Sequence, residues 1–292
     1  MSSPPAEDPS RFTLERDVTR LKVVHRQRVQ RQGDADPAPP FSQKGYGPAL
    51  LHGALRGWQR LLETEYESVV IAGWMTAALA RLGAPLDIVG AFGRVVEDEI
   101  RHVDLCAQMV EKLGGRPTLP RKPPPPFPVD LTSPEAEYET VAGMVSFFCV
   151  FEHLSGLVFQ QSIQAAQEPL AKWALSEIFR DEAFHGAFGF ETAKIYVPRW
   201  SEAQRLRLGE RVLQDIRRFE RRLRGDLSDD PAAPVAPLPD ATPELLALEA
   251  LGLLSPPSLL RVFHVGVTAQ LIPRLSDLGV PVAITPAPGP AP

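Results

Sequence analysis

Two short stretches decide how this chain is interpreted: Asp98-Glu99-Ile100-Arg101-His102 and Asp181-Glu182-Ala183-Phe184-His185. In each stretch a Glu and a His are three residues apart, and on an α-helix this spacing places both side chains on one face. Carboxylate oxygen and imidazole nitrogen are suitable ligands for metals such as iron, manganese and zinc. Each stretch therefore predicts a helix that contributes two ligands to a metal site.

A further glutamate precedes each motif, on the predicted helix before it. Glu65 lies 34 residues before Glu99, and Glu152 lies 30 residues before Glu182. Each offset corresponds to one helix plus a turn, so an antiparallel helix pair returns the glutamate to the level of its partner motif. The surroundings of Glu152 are apolar, and a carboxylate there is costly to bury without a counter-charge.

Two neighbouring carboxylates compete with Glu65 for the ligand position on the first helix. Glu65 continues the face that carries Trp58 and Leu62, so the register favours it over Glu63, and Glu67 is the next candidate. Two divalent cations would balance the four predicted glutamates, which makes this set of buried charges tolerable. The predicted metal ligands are Glu65, Glu99, His102, Glu152, Glu182 and His185.

Apolar residues recur at helical spacing along most of the chain, and no strand pattern competes. Glycine and proline end the helical segments, for example at Gly83-Ala84-Pro85, and Ser133 followed by Pro134 marks a helix start. The arginines of 202–225 are expected to form a solvated outer face. Helices are predicted over about 48–82, 86–113, 135–165, 169–197 and 202–225, with a short one from 243 and a last one over 257–278.

The connection between the second and third helices is long and rich in proline. Its residues 114–133 include Lys-Pro-Pro-Pro-Pro-Phe-Pro at 122–128, which should be extended. A reach of roughly 60 Å exceeds the length of about 42 Å of the helix before it, so the connection can cross a bundle lengthwise. The sequence therefore predicts an all-α, ferritin-like four-helix bundle with a long crossover between helices two and three, plus additional C-terminal helices. An interdomain linker of the same composition is the alternative.

Composition limits the classes of function. The 292 residues are 44% hydrophobic and 23% charged, as in globular proteins, and the net charge of −5 offers no excess positive charge for nucleic acid. Neither an apolar run of membrane-spanning length nor a signal peptide is recognised, so a cytoplasmic protein without a membrane partner is expected. The predicted organisation is a flexible N-terminal arm (1–45), a helical bundle with the metal site (46–225), a C-terminal helical extension (226–278) and a disordered tail (279–292).

The repeated Asp-Glu-x-Arg-His pattern resembles the signature of the di-iron carboxylate branch of the ferritin-like superfamily. That branch includes bacterial multicomponent monooxygenases, ribonucleotide reductase small subunits and p-aminobenzoate N-oxygenase. The likeness covers about 48–196 and implies two iron ions as cofactors, or a Mn/Fe pair. On this resemblance Glu65 and Glu152 are terminal ligands, Glu99 and Glu182 bridge the two ions, and His102 and His185 each hold one ion.

The resemblance also assigns roles to residues beside the ligands. Asp98 and Asp181 would hydrogen-bond a ligand imidazole and fix its tautomer. Arg101 fits the motif and would pair with Asp181, whereas Phe184 stands in the second copy where an arginine is expected. This departure weakens the expected hydrogen-bond network and leaves the metal ligands unaffected.

The leading hypothesis for function is a non-haem di-iron oxidase or oxygenase. Two ferrous ions with open coordination positions can supply two electrons to O2, and an organic substrate would lie in an apolar pocket lined by Phe148, Phe151, Phe184 or Phe188. The expected partners are O2, a small-molecule substrate and an electron-donor protein, and a homodimer is compatible with the sequence. The alternatives are a ferroxidase or iron-storage protein, and a structural helical bundle with a degenerate metal site.

Overall fold

The described residues are mainly helical. The computed structural model describes residues 8–15, 38–121, 129–224 and 242–283, and helices make up most of them, which confirms the predicted all-α class. Several predicted segments lie wholly or partly outside the described residues: the N-terminal arm, the proline run of the crossover, the first part of the C-terminal extension and the C-terminal tail. The long crossover, and with it the ferritin-like arrangement, therefore stays a prediction.

Each long helix begins and ends within a few residues of its predicted bounds. Pro48 and Pro169 stand at the first turn of their helices, where the missing N–H of proline costs no hydrogen bond. Ser201 starts another helix with a capping box, in which its hydroxyl accepts from the Gln204 N–H and the Gln204 side chain accepts from the Ser201 N–H. In chain order the helices are α1 (Pro48–Arg81), α2 (Leu86–Lys112), α3 (Ala136–Met144), α4 (His153–Ala165), α5 (Pro169–Tyr196), α6 (Glu202–Leu223), α7 (Pro243–Ala247), α8 (Pro256–Gly266) and α9 (Ile272–Asp277), with 3-10 turns at Val197–Arg199 and Leu248–Leu251.

Two predicted helices contain a stretch of wider, π-helical backbone. The first π segment, Val145–Glu152, joins α3 to α4, and Val267–Leu271 joins α8 to α9. A π-helix bonds each residue to the fifth one along and changes the angular spacing of side chains, so an apolar pattern read at the α-helical period cannot reveal it. Glu152, one of the predicted ligands, is the last residue of the first π segment.

A short two-stranded sheet corrects the expectation that the chain has no strands. Strand β1 (Arg11–Thr13) pairs antiparallel with β2 (Thr118–Pro120). Side chains reinforce the pairing: the Nε of Arg11 donates to the Thr118 hydroxyl at 2.9 Å, and the Arg11 guanidinium forms an ion pair with Glu63 on α1. Three residues are too few to show an alternating pattern, so the sequence could not reveal this strand within the predicted arm.

The chain divides into two compact units. Each unit is assembled from three separate stretches of sequence. Unit 1 comprises Met1–Leu131, Ser162–Ile178 and Pro243–Leu253, and unit 2 comprises Thr132–Gln161, Phe179–Thr242 and Leu254–Pro292.

In unit 1, α1 packs against α2, and the turn after α7 packs on α1. The buried Trp58 of α1 donates its indole N–H to the Leu251 carbonyl at 3.1 Å. Gly252 follows in the left-handed conformation, with φ of 81°, and a Cβ at this position would lie 2.6 Å from Cδ1 of Leu175. The turn therefore needs glycine both for its backbone conformation and for its close contact with α5.

In unit 2, α6 packs against the first π segment and against α8. Arg211 of α6 binds Glu139 of α3 at 3.2 Å and donates to the Ser146 hydroxyl of the π segment at 3.1 Å. Arg221 of the same helix is buried. The prediction of a solvated arginine face on α6 is therefore wrong for Arg221, which is buried, whereas Arg211 contacts two neighbouring elements and stays partly exposed.

One helical stretch among the described residues is long and apolar enough to cross a membrane, judged by length and composition alone. It covers Ala136–Ala165, with a mean hydropathy of 1.7 over its most apolar window. Of that window, 72% is buried inside the protein, and core helices of globular proteins share this property. The expectation that the chain has no membrane partner stays a prediction.

Replacing Gly252 with alanine is expected to destabilise unit 1. The left-handed backbone costs a non-glycine residue about 1–2 kcal/mol, and the new Cβ would also press against Leu175. Gly83 is the matched control, because its φ is +73° and nothing lies within 4 Å of its Cβ position. Chemical denaturation should show a larger loss of unfolding free energy for Gly252→Ala than for Gly83→Ala. Equal losses would show that the Leu175 contact does not constrain this turn.

Candidate metal centre

The predicted ligands of α2 lie on its buried face. Phe92, Val95, Glu99, His102 and Cys106 follow one another every three or four residues, and all five are buried. Glu99 and His102 expose none of their surface. The helix therefore carries two ionisable side chains in the stripe where apolar residues are expected, and desolvated groups of this kind require charged partners.

Glu65 of α1 completes a first group of ligands within unit 1. One oxygen of Glu65 and one oxygen of Glu99 each lie 3.3 Å from Nδ1 of His102. One ligand atom of each of the three residues lies within 4.8 Å of the others. Glu65 is buried in the stripe of α1 that faces the core, whereas the alternative ligand Glu67 is only half buried. Glu65, Glu99 and His102 are called the Glu65 cluster below.

The electrostatics of the Glu65 cluster favour a positive charge. Burial lowers the pKa of His102, but the negative charges of Glu99 and Glu65 and their hydrogen bonds outweigh burial and raise it to about 9. Burial, together with the same glutamates, raises the pKa of the Cys106 thiol well above its ordinary value. The cluster therefore attracts a cation, and Cys106 is a neutral thiol that packs one turn beyond His102.

Two ion pairs lie beside the metal ligands that α2 carries. Arg101, which lies between the two α2 ligands, forms a salt bridge with Glu177 on the part of α5 that belongs to unit 1, and both side chains are buried. Asp98, expected from the resemblance to bind an imidazole, accepts a hydrogen bond from Nε of Arg94 at 2.8 Å. Glu177 lies one helical turn before Asp181, and the pairing of Arg101 with Asp181 that the resemblance implies stays a prediction.

A second group of ligands lies within unit 2. Nδ1 of His185 on α5 lies 3.7 Å from an oxygen of Glu152 and 3.8 Å from an oxygen of Glu182. One ligand atom of each residue lies within 4.8 Å of the others, and all three side chains are buried. This Glu152 cluster has the same composition as the Glu65 cluster, with one glutamate from one helix and a Glu-x-x-His pair from another.

Two glycines allow α5 to approach the helical segments that carry and follow Glu152. A Cβ at Gly189 would lie 2.6 Å from Cβ of Phe148 and 3.3 Å from the backbone nitrogen of Cys149. A Cβ at Gly186 would lie 3.3 Å from Cα of His153. These neighbours are backbone atoms or lie next to the backbone, so they cannot turn aside as the end of a flexible side chain can. The close approach is what brings the ligands of the two helices together.

Phenylalanine rings form a row along α5 and the first π segment. Phe184 is 45% exposed and stacks on Phe188, with centroids 5.8 Å apart and an angle of 11° between the rings. Phe188 contacts the buried Phe148 edge-on at 6.4 Å. Phe151 packs on Phe219 of α6 at 5.2 Å. Three of the four rings predicted to line a substrate pocket therefore contact one another, and the row reaches the surface at Phe184.

Each of the six predicted ligands lies in one of the two clusters, three in each. Two carboxylates and one imidazole form a donor set that suits a divalent transition-metal ion. The two negative charges of each pair of glutamates balance one divalent cation, which offsets much of the cost of burying them. The residues of each cluster therefore fit one metal ion.

Sequence reasoning missed the residues that hold the clusters in place. Nothing in the sequence distinguishes Glu177 as a salt-bridge partner of Arg101, because Asp181, one turn further along the same helix, carries the same charge. Gly186 and Gly189 do carry a readable signal. Glycine inside a helix lowers its stability, so two glycines three residues apart beside a ligand indicate a close helix contact.

Replacing Gly189 with alanine is expected to destabilise unit 2 and weaken metal binding at the Glu152 cluster. The new Cβ would overlap Phe148 and Cys149, and overpacking of this kind costs about 1–3 kcal/mol. Gly90 of α2 is the control, because nothing lies within 4 Å of its Cβ position and alanine there should stabilise the helix by up to about 1 kcal/mol. Thermal denaturation and metal titration of both variants test the contact, and a Gly189→Ala protein as stable as Gly90→Ala would contradict it.

The chain was compared with known proteins at the level of families and of individual sequences. No protein-family model matches it. No curated protein matches it either.

Proposed function

We propose that the Glu65 cluster and the Glu152 cluster each hold one iron ion and that the protein is a non-haem di-iron oxidase or oxygenase of a small organic substrate. The observation that supports this most strongly is that each cluster joins two buried glutamates and one buried histidine from two helical segments. Buried charges of this kind are a poor means of packing, since apolar residues of similar size are often at least as stable. The bridging roles of Glu99 and Glu182, and a Mn/Fe pair, stay predictions.

The number of ligands favours reactive ions over a purely structural metal. Three protein ligands per ion leave coordination positions for O2 or solvent, whereas a structural site fills its positions with side chains. Glutamate oxygens are hard, anionic ligands and favour the more highly charged state of iron. Bound ferrous ions would supply the two electrons that reduce O2.

Residues of the chain would hold the ligands in position and exclude water. The buried salt bridge of Arg101 with Glu177 attaches α2 to α5 at the residue before His102. Phe148, a residue of the π segment one turn before Glu152, exposes none of its surface. The stacked rings of Phe184 and Phe188 provide an apolar surface on which an organic substrate would pack.

The metal content of the purified protein tests the proposal. Protein expressed in iron-replete medium is expected to contain two iron ions per chain. His102→Ala and His185→Ala should each lose about half of that iron, because each removes the imidazole of one cluster. His52→Ala is the control, since His52 is an exposed histidine of α1. Only trace metal in the wild type, or the same loss in the control, would contradict the proposal.

Reaction with O2 separates an oxygenase from an iron-handling protein. Anaerobic protein loaded with two ferrous ions per chain is expected to consume one O2 per chain in an oxygen-electrode assay, because two electrons are available. Further consumption should then require a reductant and an organic substrate. Uptake of many more iron ions per chain into a large hollow assembly would favour storage. Protein that binds no metal would favour a structural bundle.

A further inference from the structure

A group of contacts outside the metal ligands joins three helices of unit 2. The guanidinium carbon of Arg274 on α9 lies 3.8 Å from the centre of the Phe190 ring on α5, and Nη1 of Arg274 lies 3.3 Å from Nδ1 of His153 on α4. The His153 ring meets the same Phe190 ring edge-on at 5.8 Å. His153 directly follows Glu152, and Phe190 lies five residues after His185. The group therefore lies next to both helices that supply ligands to the Glu152 cluster.

The contact between Arg274 and His153 determines the tautomer of the imidazole. A guanidinium can donate hydrogen bonds but cannot accept them. Nδ1 of His153 must therefore be the acceptor, and the ring proton lies on Nε2. Because the planar guanidinium also packs on Phe190, the direction of its donors is restricted. Arg274 thus fixes both the protonation pattern and the orientation of His153.

Close packing limits the freedom of α4 on either side of this contact. A Cβ at Gly266, the last residue of α8, would lie 2.6 Å from Cδ1 of Leu157 and 3.0 Å from Cδ2 of Leu154. A Cβ at Gly186 of α5 would lie 3.3 Å from Cα of His153. The backbone of His153 therefore lies directly against α5, whereas the C-terminal helices contact α4 through its leucine side chains and through Arg274.

We propose that Arg274 is a positioning residue for the Glu152 cluster. Through His153 and Phe190 it holds the end of the first π segment and α5 at the spacing at which Glu152 and His185 bind one cation. A π-helical stretch can return to α-helix by a one-residue shift, and such a shift turns a side chain by about 100° around the helix axis. A fixed His153 opposes that shift directly after Glu152. This inference rests on the proposed metal binding at the Glu152 cluster.

Metal titration of Arg274 variants tests the inference in the full-length chain. In a His102→Ala background, which leaves the Glu152 cluster as the intact one, Arg274→Leu should weaken anaerobic Fe2+ binding about tenfold, as loss of a residue that orients a ligand does. Arg274→Lys should recover only part of the affinity, because an ammonium keeps the charge but not the planar stack. Arg261→Leu, an exposed arginine of α8, is the control and should bind Fe2+ like the background.

Histidine NMR gives a second readout that needs no metal. In the wild type, 15N spectra should show His153 with its proton on Nε2, and Arg274→Leu should change that pattern and shift the ring signals of His185. Unchanged Fe2+ affinity, or a lower unfolding free energy with unchanged His185 signals, overturns the inference. If the wild type binds no iron, the proposed function fails, and the His153 and His185 signals alone decide whether Arg274 positions this part of the molecule.

Discussion

Four glutamates buried in helical cores impose the constraint on which the rest of the structure depends. A carboxylate that loses its water without gaining a counter-charge costs several kcal/mol. The apolar residues around Glu65, Glu99, Glu152 and Glu182 cannot supply that charge. Each pair of glutamates faces one histidine, and in unit 1 the effect is visible in the raised pKa of His102. A divalent ion in each cluster would complete the neutralisation. This need for positive charge supports the proposed metal binding.

Much of the surrounding structure keeps these buried groups at fixed distances. In unit 1 the salt bridge of Arg101 with Glu177 adds a buried cation beside the α2 ligands. In unit 2 the same task falls to backbone contact, since Gly186 and Gly189 let α5 approach the helix that carries Glu152. The two clusters thus have the same types of ligand but are held in place by different contacts. A substitution that weakens the contacts around one cluster need not affect the other.

The features that the sequence predicts well are local ones. The spacing of Glu99 and His102 alone sets them on one helix face, and Glu65 continues the buried stripe of α1, which Glu67 does not. The salt bridge of Arg101 with Glu177 could not be predicted, since nothing in the sequence distinguishes Glu177 from Asp181, which lies one turn further along the same helix. The amino-acid composition of Val145–Glu152 does not reveal its π-helical backbone. The contact of Arg274 with His153 joins residues 121 positions apart. Such features depend on how the helices pack, which no window of sequence contains.

The pairing of β1 with β2 has a consequence for how the chain folds during synthesis. Arg11 meets Thr118 across 107 positions, so the first described residues leave the ribosome long before their partner strand exists. Unit 1 also requires Pro243–Leu253, whose turn receives the indole hydrogen bond of Trp58. Contacts between residues so distant in sequence form slowly, because a long loop must close before they can stabilise anything. The pair of α1 and α2 can therefore form early in translation, whereas unit 1 is completed only when most of the chain has been made.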